Sequence, residues 1–261
     1  MNSIEVRNLV KKYSGFRLDV SFSVPAGFVC GFIGRNGAGK TTTLKSLLGM
    51  TVPDSGEITI LGKPVSDESV KADLGVLFDQ PYYQEDWTAY DIERVLKPYY
   101  ERWDSECWSE FLDRFKLNPR LKFKDYSRGM KMKLGISSAL AHDAKLLLLD
   151  EPTGGLDPVV REEILDILRE YMLDETRSIF FSTHITADLE KIADRIVFIS
   201  DGKIVFNDYK DTLTESFALV RGGGYDELRS VNKLGGLPKN VITEKPSLDD
   251  IVVYFERGNV K

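Results

Sequence analysis

The sequence predicts an α/β protein organised around a parallel sheet, with an N-terminal antiparallel β subdomain, an inserted helical subdomain and a small C-terminal appendage. Three observations predict it. Compact apolar runs at 28–33, 146–149 and 179–182 each lead into a helical pattern, as buried parallel strands with crossover helices do. A glycine-rich turn from Gly34 to Thr41 joins the first run to the helix that follows. From about residue 81 to 142, apolar residues recur at helical spacing with no strand pattern among them.

The elements follow in order. Ile4 to Val10 and Leu18 to Val24 are β-rich and partly alternating, and Gly56 to Gly62 brackets another strand between glycine turns, which together suggest a small antiparallel sheet. In the insert, Ala89 to Trp103 and Trp108 to Phe115 are expected to be helices. Asp201-Gly202, set between Arg195–Ser200 and Lys203–Phe206, is a hairpin signal, because both residues accept the positive φ of a type I′ turn. Residues 207–261 carry the glycine clusters 222–224 and Gly235-Gly236, then a capped helix from Ser247 to Phe255. The expected division is one domain over 1–220 and a small extension over 221–261.

Composition narrows the function. Hydrophobic residues at 42% and charged residues at 29% of 261 positions match a soluble globular chain and exclude a disordered one. No apolar run approaches the roughly 20 residues that cross a bilayer, and residues 1–10 mix charges into the apolar positions, unlike a secretory signal, so a cytoplasmic location is expected. A net charge of −6 argues against a general nucleic-acid surface, and no nucleic-acid partner is expected. The two cysteines, Cys30 and Cys107, form no disulfide framework or metal spacing and read as reduced thiols.

The chemistry is concentrated in a few segments. Gly34, Arg35, Asn36, Gly37, Ala38, Gly39, Lys40 and Thr41 fit the pattern GxxxxGK[ST], placed after an apolar strand and before a helix. Glycines let successive backbone N–H groups turn inward, and with the helix N-terminus these donors cradle phosphate oxygens. Lys40 is expected to reach the β- and γ-phosphates of a nucleotide, Thr41 to coordinate Mg²⁺ and Thr42 to add a phosphate hydrogen bond. The run Leu146 to Glu151 buries a strand and delivers two carboxylates at its C-terminal end, where open α/β sheets bind ligands. Asp150 is expected to hold Mg²⁺, and Glu151 to polarise the attacking water.

Beside these stand Tyr126-Ser-Arg-Gly-Met130, Gly155-Leu-Asp157 and Ser182-Thr-His184, and the whole set resembles the ATP-binding subunits of ABC transporters over roughly residues 1–220. The resemblance implies a P-loop NTPase core. The segment YSRGM is similar to the family's LSGGQ signature, keeping Ser127 and Gly129 while Arg128 and Met130 depart from it. Ser127 also reads as an ordinary helix N-cap. In the family this element faces ATP held by a second protomer, which implies a dimer with ATP sandwiched between head-to-tail subunits. The resemblance further implies that Asp157 communicates across that dimer, that His184 contacts the γ-phosphate and that Tyr13 stacks on adenine. His142 reads as structural.

The family's Q-loop falls on Phe78-Asp-Gln-Pro81. Residue type favours Gln80 for its contact with Mg²⁺ and the attacking water, while counting back from Thr88 leaves Asp79 open. Tyr82, Tyr83, Trp87 and Tyr90 read either as core of the insert or as a groove for a membrane partner. The short tail and variant signature look most like subunits paired with ABC-2-type permeases, the bacitracin-export-like group, which favours export by a separate permease and a peripheral place on the inner membrane face. A soluble ABC ATPase acting as a non-transport regulatory or nucleic-acid- or ribosome-associated switch is the alternative. A small P-loop kinase would explain Lys40 and Asp150 but not the signature, Asp157 or His184.

Overall fold

The computed structural model describes residues 1–235 and 240–260; Gly236, the second member of the late glycine pair, lies outside the described residues. The chain opens with strands β1 (Asn2–Tyr13), β2 (Phe16–Pro25) and β3 (Val29–Ile33), and β3 feeds the glycine-rich turn and helix α1 (Lys40–Leu47). Strands β4 (Ser55–Ile60), β5 (Lys63–Pro64) and β6 (Leu74–Leu77) precede the insert, whose helices are α2 (Ala89–Leu96), α3 (Ser105–Arg114) and α4 (Arg128–Leu140). Next come β7 (Leu146–Asp150), α5 (Pro158–Tyr171), β8 (Ser178–Thr183), α6 (Thr186–Ile192), β9 (Arg195–Ser200), β10 (Lys203–Tyr209) and α7 (Lys210–Ser216). Strands β11 (Phe217–Gly222), β12 (Tyr225–Ser230) and β13 (Ile242–Glu244), then helix α8 (Leu248–Glu256), complete the described chain.

The central sheet runs β10-β9-β3-β8-β7-β6, parallel except for β10. Both of its faces are covered, which explains the unbroken apolar runs: successive residues of one strand enter opposite cores. Cys30, Phe32, Leu146, Leu148 and Phe180 pack towards the antiparallel sheet β2-β1-β4-β5. Ile33, Leu147, Leu149, Ile179 and Phe181 pack towards the helical insert.

Two sequence expectations need correction. The helix foreseen over Ala89 to Trp103 ends at Leu96 and tightens into a 3₁₀ turn over Lys97–Tyr99, because Pro98 brings no N–H to continue the ladder. A separate helix then starts behind Asp104, whose carboxylate accepts from the Glu106 and Cys107 amides. The division at residue 220 falls inside β11, so the C-terminal three-stranded sheet, β12-β11-β13, begins at Phe217. This unit is no free appendage: Leu219, Leu228, Ile251 and Tyr254 share one apolar cluster with Leu149 and Phe181 of the central sheet. Strand β6 was not foreseen, since four residues are too few to show a period and only pairing with β7 defines them.

The hairpin turn forms as expected, with φ of 46° at Asp201 and 73° at Gly202. Only glycine fits the second position, because a Cβ there would lie 2.1 Å from the Arg17 carbonyl oxygen. The turn is part of the site's support: the Gly202 amide donates to the Ala38 carbonyl at 3.0 Å.

Candidate nucleotide-binding and hydrolysis site

Strands β3, β8 and β7 lie side by side and parallel, so their C-terminal ends deliver the glycine-rich turn, Thr183-His184 and Asp150-Glu151 to one edge. Between them lies a cavity of about 320 Å³ lined by Arg35, Asn36, Gly37, Gly39, Lys40, Thr41, Thr42, Phe16, Asp79, Asp150 and Glu151. Gly34 and Ala38 act from behind it: Gly34 offers its carbonyl to Lys40, and Ala38 is buried in the core between the central and antiparallel sheets. Gly39, with φ of 113°, caps α1 in a left-handed conformation, and any Cβ would sit 2.9 Å from Leu18.

The charged residues are held rigidly. Lys40, 6% exposed, donates to the Gly34 carbonyl at 2.6 Å and stands 3.3 Å from Glu151 Oε1. Asp150, 4% exposed, accepts from the Thr41 hydroxyl at 3.0 Å and from the Ser182 hydroxyl at 2.7 Å. Glu151 adopts a φ of 50°, a conformation costly for a residue with a side chain and typical of sites where geometry outweighs local preference. Its second oxygen lies 2.8 Å from His184 Nδ1 and accepts from Thr183 Oγ1 at 3.3 Å. The loop behind it is pinned by buried Asp188, which accepts from Thr153 and Arg161.

This edge suits Mg²⁺ as a partner of phosphate. Thr41 Oγ1 and Asp150 supply two hard oxygen donors 3.0 Å apart. Mg²⁺ characteristically takes one or two protein carboxylates and fills its remaining positions with water and substrate phosphate, which this donor set fits.

Other expected residues are placed differently. Ser127 caps α4, accepting from the Met130 amide at 3.3 Å, and Gly129 packs near Val160; neither lines the cavity. Asp157 caps α5 through the Val159 and Val160 amides at 3.1 Å, and Pro158 occupies the first helical turn. Asp79, not Gln80, lines the cavity; Gln80 turns to an adjoining groove that also reaches Thr41 and Asp150. Residue type favours Gln80 and counting back from Thr88 points to Asp79; both line the adjoining groove, and Asp79 alone of the two also lines the cavity. Phe16 forms part of the cavity wall, and Tyr13, half-exposed, stands beside it with ring centroids 6.5 Å apart. The aromatic cluster divides: Tyr83 packs edge-on to Phe123 and its hydroxyl meets Ser138, while Tyr82 and Tyr90 are exposed. His142 is buried between the Ser138 and Leu74 carbonyls at 3.0 Å each, and burial holds its pKa below the ordinary histidine range. Burial also pushes the Cys30 thiol up to about 12, which leaves it unreactive.

Sequence reasoning missed Phe16, Thr183 and the role of Ser182 as the second partner of Asp150. The serine was part of a quoted motif, but its hydroxyl acts across the sheet, which no spacing reveals.

A family model described as ABC transporter matches residues 18–154. The bacitracin transport ATP-binding protein BcrA of Enterococcus faecalis is 33% identical over 208 residues, covering 77% of this chain and 68% of that protein. The lantibiotic transport ATP-binding protein SrtF of Streptococcus pyogenes is 34% identical over 221 residues, covering 82% of this chain and 95% of that protein. A solved structure of an ATP-binding subunit of an ABC transporter superposes with a TM-score of 0.70 at 29% identity, over 80% of this chain and 91% of that one. The chain therefore belongs to the ATP-binding subunits of ABC transporters, and it is an ATPase of that class.

Proposed function

We propose that the chain binds Mg-ATP in the cavity between the glycine-rich turn and Glu151, closes on a second ATPase subunit and drives substrate movement through a separate membrane permease. The observation that carries this reading is the setting of Glu151, one oxygen beside Lys40 and the other beside His184, next to the Thr41–Asp150 pair. Backbone amides of residues 35–41 and the Lys40 ammonium bind the phosphates. Thr41 and Asp150 would hold Mg²⁺, which would supply charge neutralisation to the phosphates. Glu151 orients a water for in-line attack and takes up its proton, while His184 fixes the carboxylate and contacts the γ-phosphate. Phe16 and Tyr13 offer π-faces to adenine. Asp79, which shares the cavity with Thr41 and Asp150, would be the loop residue nearest the metal's donors.

Ser127 and Gly129 act on nucleotide held by the second subunit, and Asp157 lies at the same junction; the second subunit is an identical copy or a relative. Among the described residues no helix is long and apolar enough to cross a membrane, so the translocation path is assigned to the permease, with this chain peripheral on the inner face. Relatives named for bacitracin and lantibiotic transport support a transport role. Export is the direction favoured by the resemblance to subunits paired with ABC-2-type permeases.

The test is a mild-detergent pull-down of tagged Glu151→Gln protein with Mg-ATP from its native membranes, with stoichiometric partners identified by mass spectrometry. A multi-spanning protein is the expected result. Soluble or ribosomal partners alone, with membranes demonstrably extracted, would transfer the reading to a non-transport ABC ATPase.

A further inference from the structure

Two of the positions at which the sequence departs from the family pattern meet in space. Arg128, in the variant signature, donates through its guanidinium to the carboxylate of Asp79 and, through Nε, to the Gly154 carbonyl at 3.1 Å. Asp79 lines the cavity with Lys40, Asp150 and Glu151. Gly154 belongs to the turn that follows Glu151, where its amide donates to the Glu151 carbonyl at 3.0 Å. One side chain at the start of α4 thus holds both the loop that enters the insert and the loop that leaves the hydrolytic glutamate.

Charge explains the pairing. Without Arg128, Asp79 would add a third carboxylate to Asp150 and Glu151 on a wall where Lys40 is the ammonium, and this wall must accept a triphosphate. The planar fork of arginine can serve a carboxylate and a carbonyl at once, which a lysine ammonium does less well. Both side chains are nearly half-exposed, at 44% and 46%, and pairs this open contribute little to stability. The contact therefore bears on ligand placement more than on folding.

We propose that Arg128 is a positioning residue for nucleotide within its own subunit: it holds Asp79 in the cavity wall, offsets its charge and ties α4 to the turn after Glu151. The proposal rests on the reading of the cavity as a Mg-ATP site.

The experiment is a double-mutant cycle on the full chain, with ATP affinity measured by calorimetric titration, with and without Mg²⁺, for wild type, Arg128→Gln, Asp79→Asn and the double variant. Arg128→Gln should weaken Mg-ATP binding by roughly three- to tenfold, and by less than about twofold when Asp79 is already asparagine. The loss should be larger without Mg²⁺, and Arg128→Lys should fall between wild type and Arg128→Gln. Unchanged affinity in Arg128→Gln overturns the proposal, and so does an equal loss in both backgrounds, which would assign Arg128 a role independent of Asp79. Wild-type protein that binds no ATP would instead remove the underlying reading of the cavity, and the proposal with it. Thermal melting of each variant accompanies the titrations; if Arg128→Gln does not fold, Arg128→Lys takes its place in the cycle.

Discussion

The two walls of the nucleotide cavity are built on opposite principles. On the wall made by β3, β7 and β8, Lys40 and Asp150 are almost fully buried and hydrogen-bonded to neighbours fixed by a parallel sheet. On the wall made by the 79 loop, Asp79 and the Arg128 side chain behind it are nearly half-exposed and held mainly by each other and one carbonyl. The first wall is preorganised: its dipoles and charges are already aimed, so binding requires little rearrangement. The second depends on an exposed ion pair that contributes little to stability, although α4 itself is anchored in the core through Met132, Leu134 and Ile136. The difference teaches that burial beside a paired strand, and not charge alone, fixes where a polar side chain stands.

Substitutions test this contrast most directly where the rigid wall carries chemistry. Glu151→Gln should reduce ATP turnover by about 10²–10⁴-fold, as loss of a general base does, while nucleotide binding persists and a closed dimer accumulates. Steady-state hydrolysis with size-exclusion chromatography in Mg-ATP reads both; near-normal turnover would remove Glu151 from its role. Lys40→Ala leaves Glu151 without its 3.3 Å partner and should weaken ATP binding by about thirtyfold or more, seen by titration of the monomer. Equal affinity would show that the backbone cradle alone holds the phosphates.

Smaller effects separate the aromatic residues and the support behind the site. Phe16→Ala should weaken ATP by about 1 kcal/mol and leave inorganic triphosphate binding unchanged, because stacking acts only on the base. If Tyr13→Ala has the larger effect, the adenine platform is Tyr13. Ser127→Ala should cost about 1 kcal/mol of stability through the lost cap and should lower ATP-dependent dimerisation more than monomer affinity for nucleotide. Equal loss of the two would reduce YSRGM to a helix start.

The smallest effect concerns His142. Its folded-state pKa is depressed by burial, so the unfolded chain binds more protons just below the ordinary histidine value of about 6.5. Its stabilising contribution is complete above that pH and is lost as the pH falls towards the folded-state pKa. Thermal unfolding between pH 7.5 and 5.5 should therefore show a decline that is shallower in His142→Gln; identical slopes would exclude the linkage.

The glycine-rich turn, the strand leading to Asp150 and Glu151, the hairpin at Asp201-Gly202 and the caps at Ser127 and Ser247 were legible because each depends on chemistry within a few residues. Glycine permits a positive φ wherever it stands, and a capping hydroxyl or carboxylate reaches an amide two or three positions on. The break at Pro98 was also written locally, though the apolar periodicity across it suggested one longer helix. Other features exist only across the fold. β6 becomes a strand by pairing with β7, and Ser182 reaches Asp150 from the neighbouring strand. Phe16 enters the cavity wall, Asp79 shares that cavity with the glycine-rich turn, and Arg128 joins loops 49 and 26 residues away in the chain. Sequence pattern encodes which residues bury and where the backbone turns, since those depend on near neighbours. Which side chains from distant segments share one cavity depends on how sheet and insert pack, a long-range outcome that no local spacing contains.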